Sequence, residues 1–369
     1  MPNPKAHGIQ LAKMCEGFAG AGIDLELILP RKGDSSVSLE SFYELKNPFK
    51  IKMLRVINLW PATRIGFNLS AFTFALAYFF YLLAERIRGR RGLIYTIDLD
   101  QFSFFLIPLL GLPYFFETHA AKRKNFLYRF FLRNAQGIIT INSWIKNDLI
   151  SKFGLNPGKI MVFPNGIDLR MFDSELAQKE ARAKLNLAEQ AKIIAYIGRF
   201  YNWKGLGILP RAAEILPESF TFYLVGGTER QFKDIVGIES LPRNIICLGE
   251  RDYREIPLWI RAADLLLVLG TKANAYSYYQ TSPLKIFEYM AAGKPIVASQ
   301  TPALEEIVSE REAIFYEPDS AESLAIAVRS ALENPERLTV ISARAYDKVR
   351  QFSWHNRAEA VKNFISQRI

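Results

Sequence analysis

Little in this chain suits a metal centre or a cross-linked secreted scaffold. Its 369 residues hold three histidines, His7, His119 and His355, and two cysteines, Cys15 and Cys247. Three scattered imidazoles do not suggest a multi-histidine metal site. Two distant thiols give neither a disulfide framework nor a metal-binding spacing, so a reducing compartment, the cytosol, is the expectation. The phosphate-cradling pattern Gly-x4-Gly-Lys-Ser/Thr is missing. There is no low-complexity tail and no internal repeat of short period. Only 23% of residues are charged while 50% are hydrophobic, which excludes a disordered chain.

The length suggests two domains, each with its own core. Residues 1–168 carry 21 basic against 12 acidic side chains, whereas 169–369 carry 26 against 25. Nearly all of the net charge of +10 therefore belongs to the first half. A one-sided positive field suits nucleic acid, an anionic membrane surface or an anionic acceptor. No nucleic-acid motif accompanies it, so nucleic acid is set aside. Residues 65–84 hold no charge and run into Glu-Arg-Ile-Arg-Gly-Arg-Arg. By length they could span a bilayer, but Asn68, Ser70 and Thr73 dilute them. A buried helix is the expectation, with a membrane-surface patch as the alternative.

From Leu93 onward, short apolar strands alternate with helices. Leu93–Ile97, Phe102–Leu110, Leu112–His119, Gly137–Ile141 and Lys159–Phe163 come first. Ile193–Ile197, Phe220–Val225, Ile245–Gly249 and Asp264–Leu269 follow. Such alternation implies parallel sheets wrapped by helices, with ligands at the carboxyl ends of strands. His119 falls at one such end, although a lone His is more often structural. Arg199 and Lys204 lie just past another, either as solvated loop charges or as a pair suited to a diphosphate, one a planar fork and one a point charge. Gly226 and Gly227 follow a third and permit close backbone approach.

Residues 281–299, Thr-Ser-Pro-Leu-Lys-Ile-Phe-Glu-Tyr-Met-Ala-Ala-Gly-Lys-Pro-Ile-Val-Ala-Ser, predict a helix capped by Ser282 and opened by Pro283. Gly293 suits its left-handed end, and Pro295 leads into a buried strand. The helix start is an anion site by its free N–H groups and dipole. Glu288 could simply pair with Lys285 on a solvated face.

This stretch resembles the signature of retaining glycosyltransferases of family 4, which have the GT-B fold, and the resemblance extends over essentially the whole chain. It implies two Rossmann-like domains facing across a cleft, the first on the acceptor side (1–168) and the second binding a nucleotide sugar (169–350). A final helix (351–369) returns to the first domain. Family members place a strand before the opening helix; its absence here suggests that Met1 is internal to a longer frame. In the family, a Glu, seven residues and a second Glu bracket the nucleotide sugar, and the second bonds the ribose hydroxyls. Glu288 matches the second. The first falls on Gln280, an amide that hydrogen-bonds but cannot hold a negative charge. Arg199 and Lys204 match a Gly-Arg-x4-Lys-Gly pattern at the donor diphosphate, which the backbone of Ser282, Pro283 and Leu284 also approaches. His119 matches the imidazole near the donor sugar, so His119 and Gln280 are the candidate catalytic residues. Phe163-Pro-Asn-Gly-Ile-Asp168 resembles the interdomain crossover turn.

The resemblance implies transfer of a sugar from a nucleoside-diphosphate sugar to an acceptor hydroxyl, without cofactor or metal. A carbohydrate or lipid-linked acceptor is expected, in cell-surface polysaccharide or glycolipid synthesis, at a cytoplasmic location that can include the inner membrane face. The alternatives are a silent GT-B subunit that binds a nucleotide or a partner, and a GT-B sugar epimerase.

Overall fold

The computed structural model describes residues 5–31, 38–57, 64–97, 104–173 and 176–369. The chain divides into two compact units, one of residues 1–165 with 354–369 and one of residues 166–353. Their junctions lie three residues from those read in the sequence.

In the first unit, strands β1 (Glu26–Pro30) and β2 (Lys50–Leu54) form a parallel pair. Strands β3 (Ile94–Ile97), β4 (Tyr114–Thr118), β5 (Gly137–Thr140) and β6 (Ile160–Val162) form a separate parallel sheet in that order. Among the described residues no strand joins β1 to β3. Strand β4 is buried along its whole length, as a central parallel strand covered on both faces should be. The stretch Phe102–Leu110 lies partly outside the described residues; from Phe104 it is turns ending in the 3-10 helix Ile107–Leu110.

The opening helix Ala6–Gly20 ends before Gly22, whose φ of +79° needs glycine. It packs on the final helix, Trp354–Ser366. A Cβ at Gly17 would stand 2.8 Å from the carbonyl oxygen of Trp354, so only glycine lets the two axes approach this closely.

The helix Arg64–Ile87 corrects the expectation of a buried helix. Only 22% of its most apolar 18-residue stretch is buried. Ala71, Ala75 and Tyr78 turn inward, the last two onto the core of Phe104, Phe116 and Phe131. The opposite side leaves Ile65, Leu69, Phe72, Phe80 and Ile87 exposed.

The second unit has one six-stranded parallel sheet. Its strands are β7 (Lys192–Ile197), β8 (Phe220–Val225), β9 (Ile245–Gly249), β10 (Leu265–Val268), β11 (Ile296–Ser299) and β12 (Ile314–Tyr316). Their spatial order, β12-β11-β10-β7-β8-β9, reverses between β7 and β10, and such a switch point opens a crevice at the carboxyl ends of those strands. Successive residues of β7 feed opposite cores. Ile193, Ala195 and Ile197 pack with Ile286, Phe287 and Met290, whereas Ile194 and Tyr196 pack with Leu209, Leu224 and Leu324. Each large apolar side chain so buried contributes about 1.5–3 kcal/mol relative to exposure.

Candidate functional site

At the switch point, β7 runs into Gly198, whose φ is +147°, and β8 into Gly226, whose φ is +127°. These conformations belong to glycine. A Cβ on Gly226 would lie 2.5 Å from the carbonyl carbon and oxygen of Gly198. The close approach read for Gly226 is thus to another backbone, and it shapes the Gly198–Arg199 turn. Gly226→Ala is expected to push this turn outward and to lower nucleoside-diphosphate affinity by roughly tenfold or more, as read by calorimetry. Unchanged affinity would show that the turn does not form the site.

Three cations gather around Gly198. Arg199 pairs through Nη2 with Glu250 Oε2 at 3.2 Å on an exposed rim. Lys204 donates from Nζ to the Arg199 carbonyl at 3.2 Å and lies over the Tyr201 and Trp203 rings, 5.1 and 5.3 Å from their centroids. Burial, then the charge of Arg199, lowers its pKa to about 8. Lys285 sits 3.7 Å from the Tyr196 ring centroid, a cation–π contact. Its pKa falls well below the usual lysine range through burial and then through Lys204. Measured from the position a Gly198 Cβ would take, the two amines stand 2.7 Å (Lys285) and 3.7 Å (Lys204) away. Like charges held this close, in a site that disfavours both, call for an anion.

The signature helix occupies Leu284–Ala291 and starts one residue later than expected. Pro283, with ψ of 128°, takes the cap position, and Ser282 does not cap. The cap is extended because its ring forbids the donor bond that would continue the helix backward, and Ser282 is pushed the same way by the following proline. Gly293, at φ +61°, closes the helix as expected. Tyr289 ties it to β7: its hydroxyl accepts from the Ile197 amide at 3.2 Å and donates to the Ile197 carbonyl at 3.5 Å. That tie places Lys285 beside the Gly198 turn and within electrostatic reach of Glu288.

Glu288 is no solvated partner of Lys285. It is buried, and its Oε1 accepts from the Tyr253 hydroxyl at 2.9 Å. Burial raises its pKa to about 7, although the Tyr253 bond and the Lys285 charge act the other way. Gln280 is buried at the end of a π-helical turn, Tyr276–Gln280, a geometry frequent at functional sites. Unit two therefore brings together Arg199, Lys204 and Glu288 and adds Lys285 and Tyr253, which sequence reading missed. Lys285 stood in the signature, but nothing in one sequence signals Tyr253.

His119 belongs to the first unit, just past β4. Its Nε2 contacts Glu117 Oε1 at 2.5 Å. A carboxylate only accepts, so Nε2 carries the proton. Glu117 is itself clamped by Arg357 of the final helix, with Nη1 to Oε2 and Nη2 to Oε1 both at 3.0 Å, and accepts from the Tyr95 hydroxyl. Burial alone would raise the Glu117 pKa; the Arg357 guanidinium and the His119 bond outweigh it and hold it well below the usual carboxylate range.

One feature qualifies the expectation of metal independence: the sequence does hold an Asp-x-Asp, Asp98-Leu99-Asp100. It lies outside the described residues.

Comparison with known proteins gives these geometries a class. Sucrose-phosphate synthase from Thermosynechococcus elongatus matches with a TM-score of 0.77 at 21% identity, over 98% of this chain and 93% of its own. The Anabaena protein HepE, in complex with UDP and glucose, matches at 0.72 and 18% identity, over 100% of this chain and 97% of its own. The fold is GT-B, with two Rossmann-like domains. Family models for "Glycosyltransferase Family 4" and "Glycosyl transferases group 1" match residues 8–170 and 177–348. A D-inositol 3-phosphate glycosyltransferase of Kineococcus radiotolerans is 26% identical over 238 residues, 58% of this chain and 53% of its own length. An uncharacterized glycosyltransferase of Methanocaldococcus jannaschii is 26% identical over 235 residues, 61% and 58% respectively. The chain thus spans a little over half the length of these relatives. It belongs to the family 4 glycosyltransferases.

Proposed function

We propose that the protein transfers a sugar from a nucleoside-diphosphate sugar to an acceptor hydroxyl with retention at the anomeric carbon, and that it needs no metal to do so. The observation that carries this reading is the convergence of Arg199, Lys204 and Lys285 on the Gly198 turn, beside the start of the Leu284–Ala291 helix. Departure of a nucleoside diphosphate builds negative charge on its phosphate oxygens. Donors fixed in advance stabilise that charge without reorganising. Arg199 would leave Glu250 to fork onto a phosphate, Lys204 and Lys285 would supply point charges, and the backbone N–H groups of Ser282 and Leu284, Pro283 having none, would complete the cradle. Ionised Glu288 would accept from the ribose hydroxyls. His119, its ring fixed by Glu117, and Gln280 are assigned to the donor sugar on the family pattern. HepE structures hold UDP, alone or with glucose, or UDP-glucose, which makes uracil the first base to try. The acceptor we assign to polysaccharide or glycolipid synthesis on the cytoplasmic side.

Calorimetric titration of UDP, GDP and ADP tests the site. One base should bind, and Lys285→Met should weaken it by roughly tenfold, the loss of one charged hydrogen bond, without lowering the unfolding midpoint, since a desolvated cation is replaced by an apolar chain. Absence of binding to any of the three by the folded protein would defeat the reading. Transfer is then followed with the matching nucleotide sugars, and retention is read from the anomeric proton coupling of the product. Gln280, an amide where the family pattern has a carboxylate, favours one second reading, a silent GT-B subunit. Nucleotide binding with no turnover of any donor would select it.

A further inference from the structure

The helix Arg64–Ile87 faces solvent with residues that globular proteins bury. Ile65, Leu69, Phe72, Phe80 and Ile87 are 79, 40, 40, 62 and 79% exposed, and partly exposed Leu76 and Leu83 fill the gaps. Steps of four, three, four, four, three and four residues place all seven on one stripe of a helix about 36 Å long. Every residue on the stripe is apolar. Phe72 also stacks on Phe105, with centroids 6.0 Å apart, which widens the surface. A stripe this long on a soluble chain marks a contact surface.

Its end identifies the partner. Arg86, Arg88, Arg90 and Arg91 follow the stripe, all exposed. Arg88 and Arg90 share one carboxylate, Glu85, at 2.6 and 2.7 Å, so the group keeps a net positive charge. An apolar face bordered by arginines matches the interface of an anionic bilayer, acyl chains beneath and phosphates beside. The same helix does not cross the bilayer: Ala75 and Tyr78 are locked into the core of the first unit on its other side, and a span would tear that core open.

We infer that this stripe docks the protein peripherally onto an anionic membrane, with the helix lying in the interfacial plane. The inference stands apart from the donor-site reading, since it concerns only the first unit.

The test is co-sedimentation of the full chain with vesicles of phosphatidylcholine alone or enriched in phosphatidylglycerol. Binding should favour the anionic vesicles and fall with added salt. Phe72→Ser with Phe80→Ser removes two aromatic anchors, and Arg90→Gln with Arg91→Glu removes one exposed charge and reverses another while Glu85 keeps its Arg88 partner. Each pair should weaken vesicle binding by about tenfold or more, while circular dichroism and nucleotide titration remain as in the parent. Failure of the folded parent to sediment with either vesicle, or undiminished sedimentation of both variants, would overturn the inference. So would a dimer in sedimentation velocity that the serine pair dissolves, which would assign the stripe to a second copy of this chain.

Discussion

Glu288→Gln should make the protein harder to unfold at about pH 8 and, at the same time, poorer at holding a nucleoside diphosphate. The two effects share one cause. Burial raises the Glu288 pKa from 4.5 to about 7. The unfolded chain releases this proton near the lower value and the folded chain only near the higher. Between them the folded state binds more protons, so stability falls as pH rises and the full penalty is in place above pH of about 7. At 1.36 kcal/mol for each unit, the penalty is on the order of 3 kcal/mol. Glutamine stays neutral and still accepts from the Tyr253 hydroxyl, so it escapes that cost. The gain should shrink as pH falls and vanish below about 4.5, where glutamate is protonated in both states. Urea midpoints at constant slope, measured across this range, check the sign. Ribose hydroxyls, in contrast, bond best to a carboxylate. Charged hydrogen bonds are worth about 1.5–3 kcal/mol each, so affinity should fall by roughly tenfold or more. A glutamine variant less stable at about pH 8 would show that the native carboxylate is well compensated. Unaltered affinity would remove Glu288 from the site.

Arg357→Met should be the most damaging single change in the first unit. The guanidinium is fully buried, holds both oxygens of Glu117 and donates from Nε to the Pro164 carbonyl at 2.9 Å. Its removal strands a buried carboxylate, a situation that costs about 3–5 kcal/mol. Glu117→Gln in the same chain should recover much of that loss, because the stranded charge is then gone. The non-additivity of the two substitutions is the diagnostic quantity. If Arg357→Met alone costs under about 1 kcal/mol, the clamp contributes no more than a surface pair. The Arg199–Glu250 pair supplies that reference: both side chains are substantially exposed, and Glu250→Ala should leave stability within about 0.5 kcal/mol of the parent. Since Arg357 holds the Glu117 pKa below its ordinary value, the clamp's contribution is present above the usual carboxylate range and is lost as pH falls through the lowered value. A second readout separates positioning from mere stability. The His119 ring in Arg357→Met should lose its single Nε2–H tautomer in nitrogen-detected NMR.

Much of the architecture was legible because local chemistry and global fold agree. The signature helix is bounded by Pro283 and Gly293, two residues whose backbone preferences act without neighbours. Strand β10 reads as an unbroken apolar run since a central parallel strand is covered on both faces. Arg199, Lys204 and Glu288 were found by spacing within short segments.

The helix at 64–87 shows where sequence reading stops. It is apolar on nearly every side, so its periodicity cannot say which face the core takes, and the buried reading was the natural default. Only the packing of Ala75 and Tyr78 onto Phe104, Phe116 and Phe131 decides it. Lys285 and Glu288, three apart, look like a surface ion pair on any helix. Instead Glu288 is buried on the Tyr253 hydroxyl and Lys285 reaches the Gly198 turn over the Tyr196 ring, because the Tyr289 hydroxyl fastens that helix face to β7.

By itself, then, the sequence determined the alternation of strands and helices, the ends of the signature helix and the charge of its loops, all set by backbone preference and periodicity within a few residues. The tertiary structure alone decided which charges face one another: Lys285 with Lys204, Glu288 with Tyr253, and Arg357 with Glu117 across 240 residues of chain. The physical reason is desolvation. A charge's pKa, partner and strength depend on the water its neighbours exclude, and those neighbours come from distant parts of the chain.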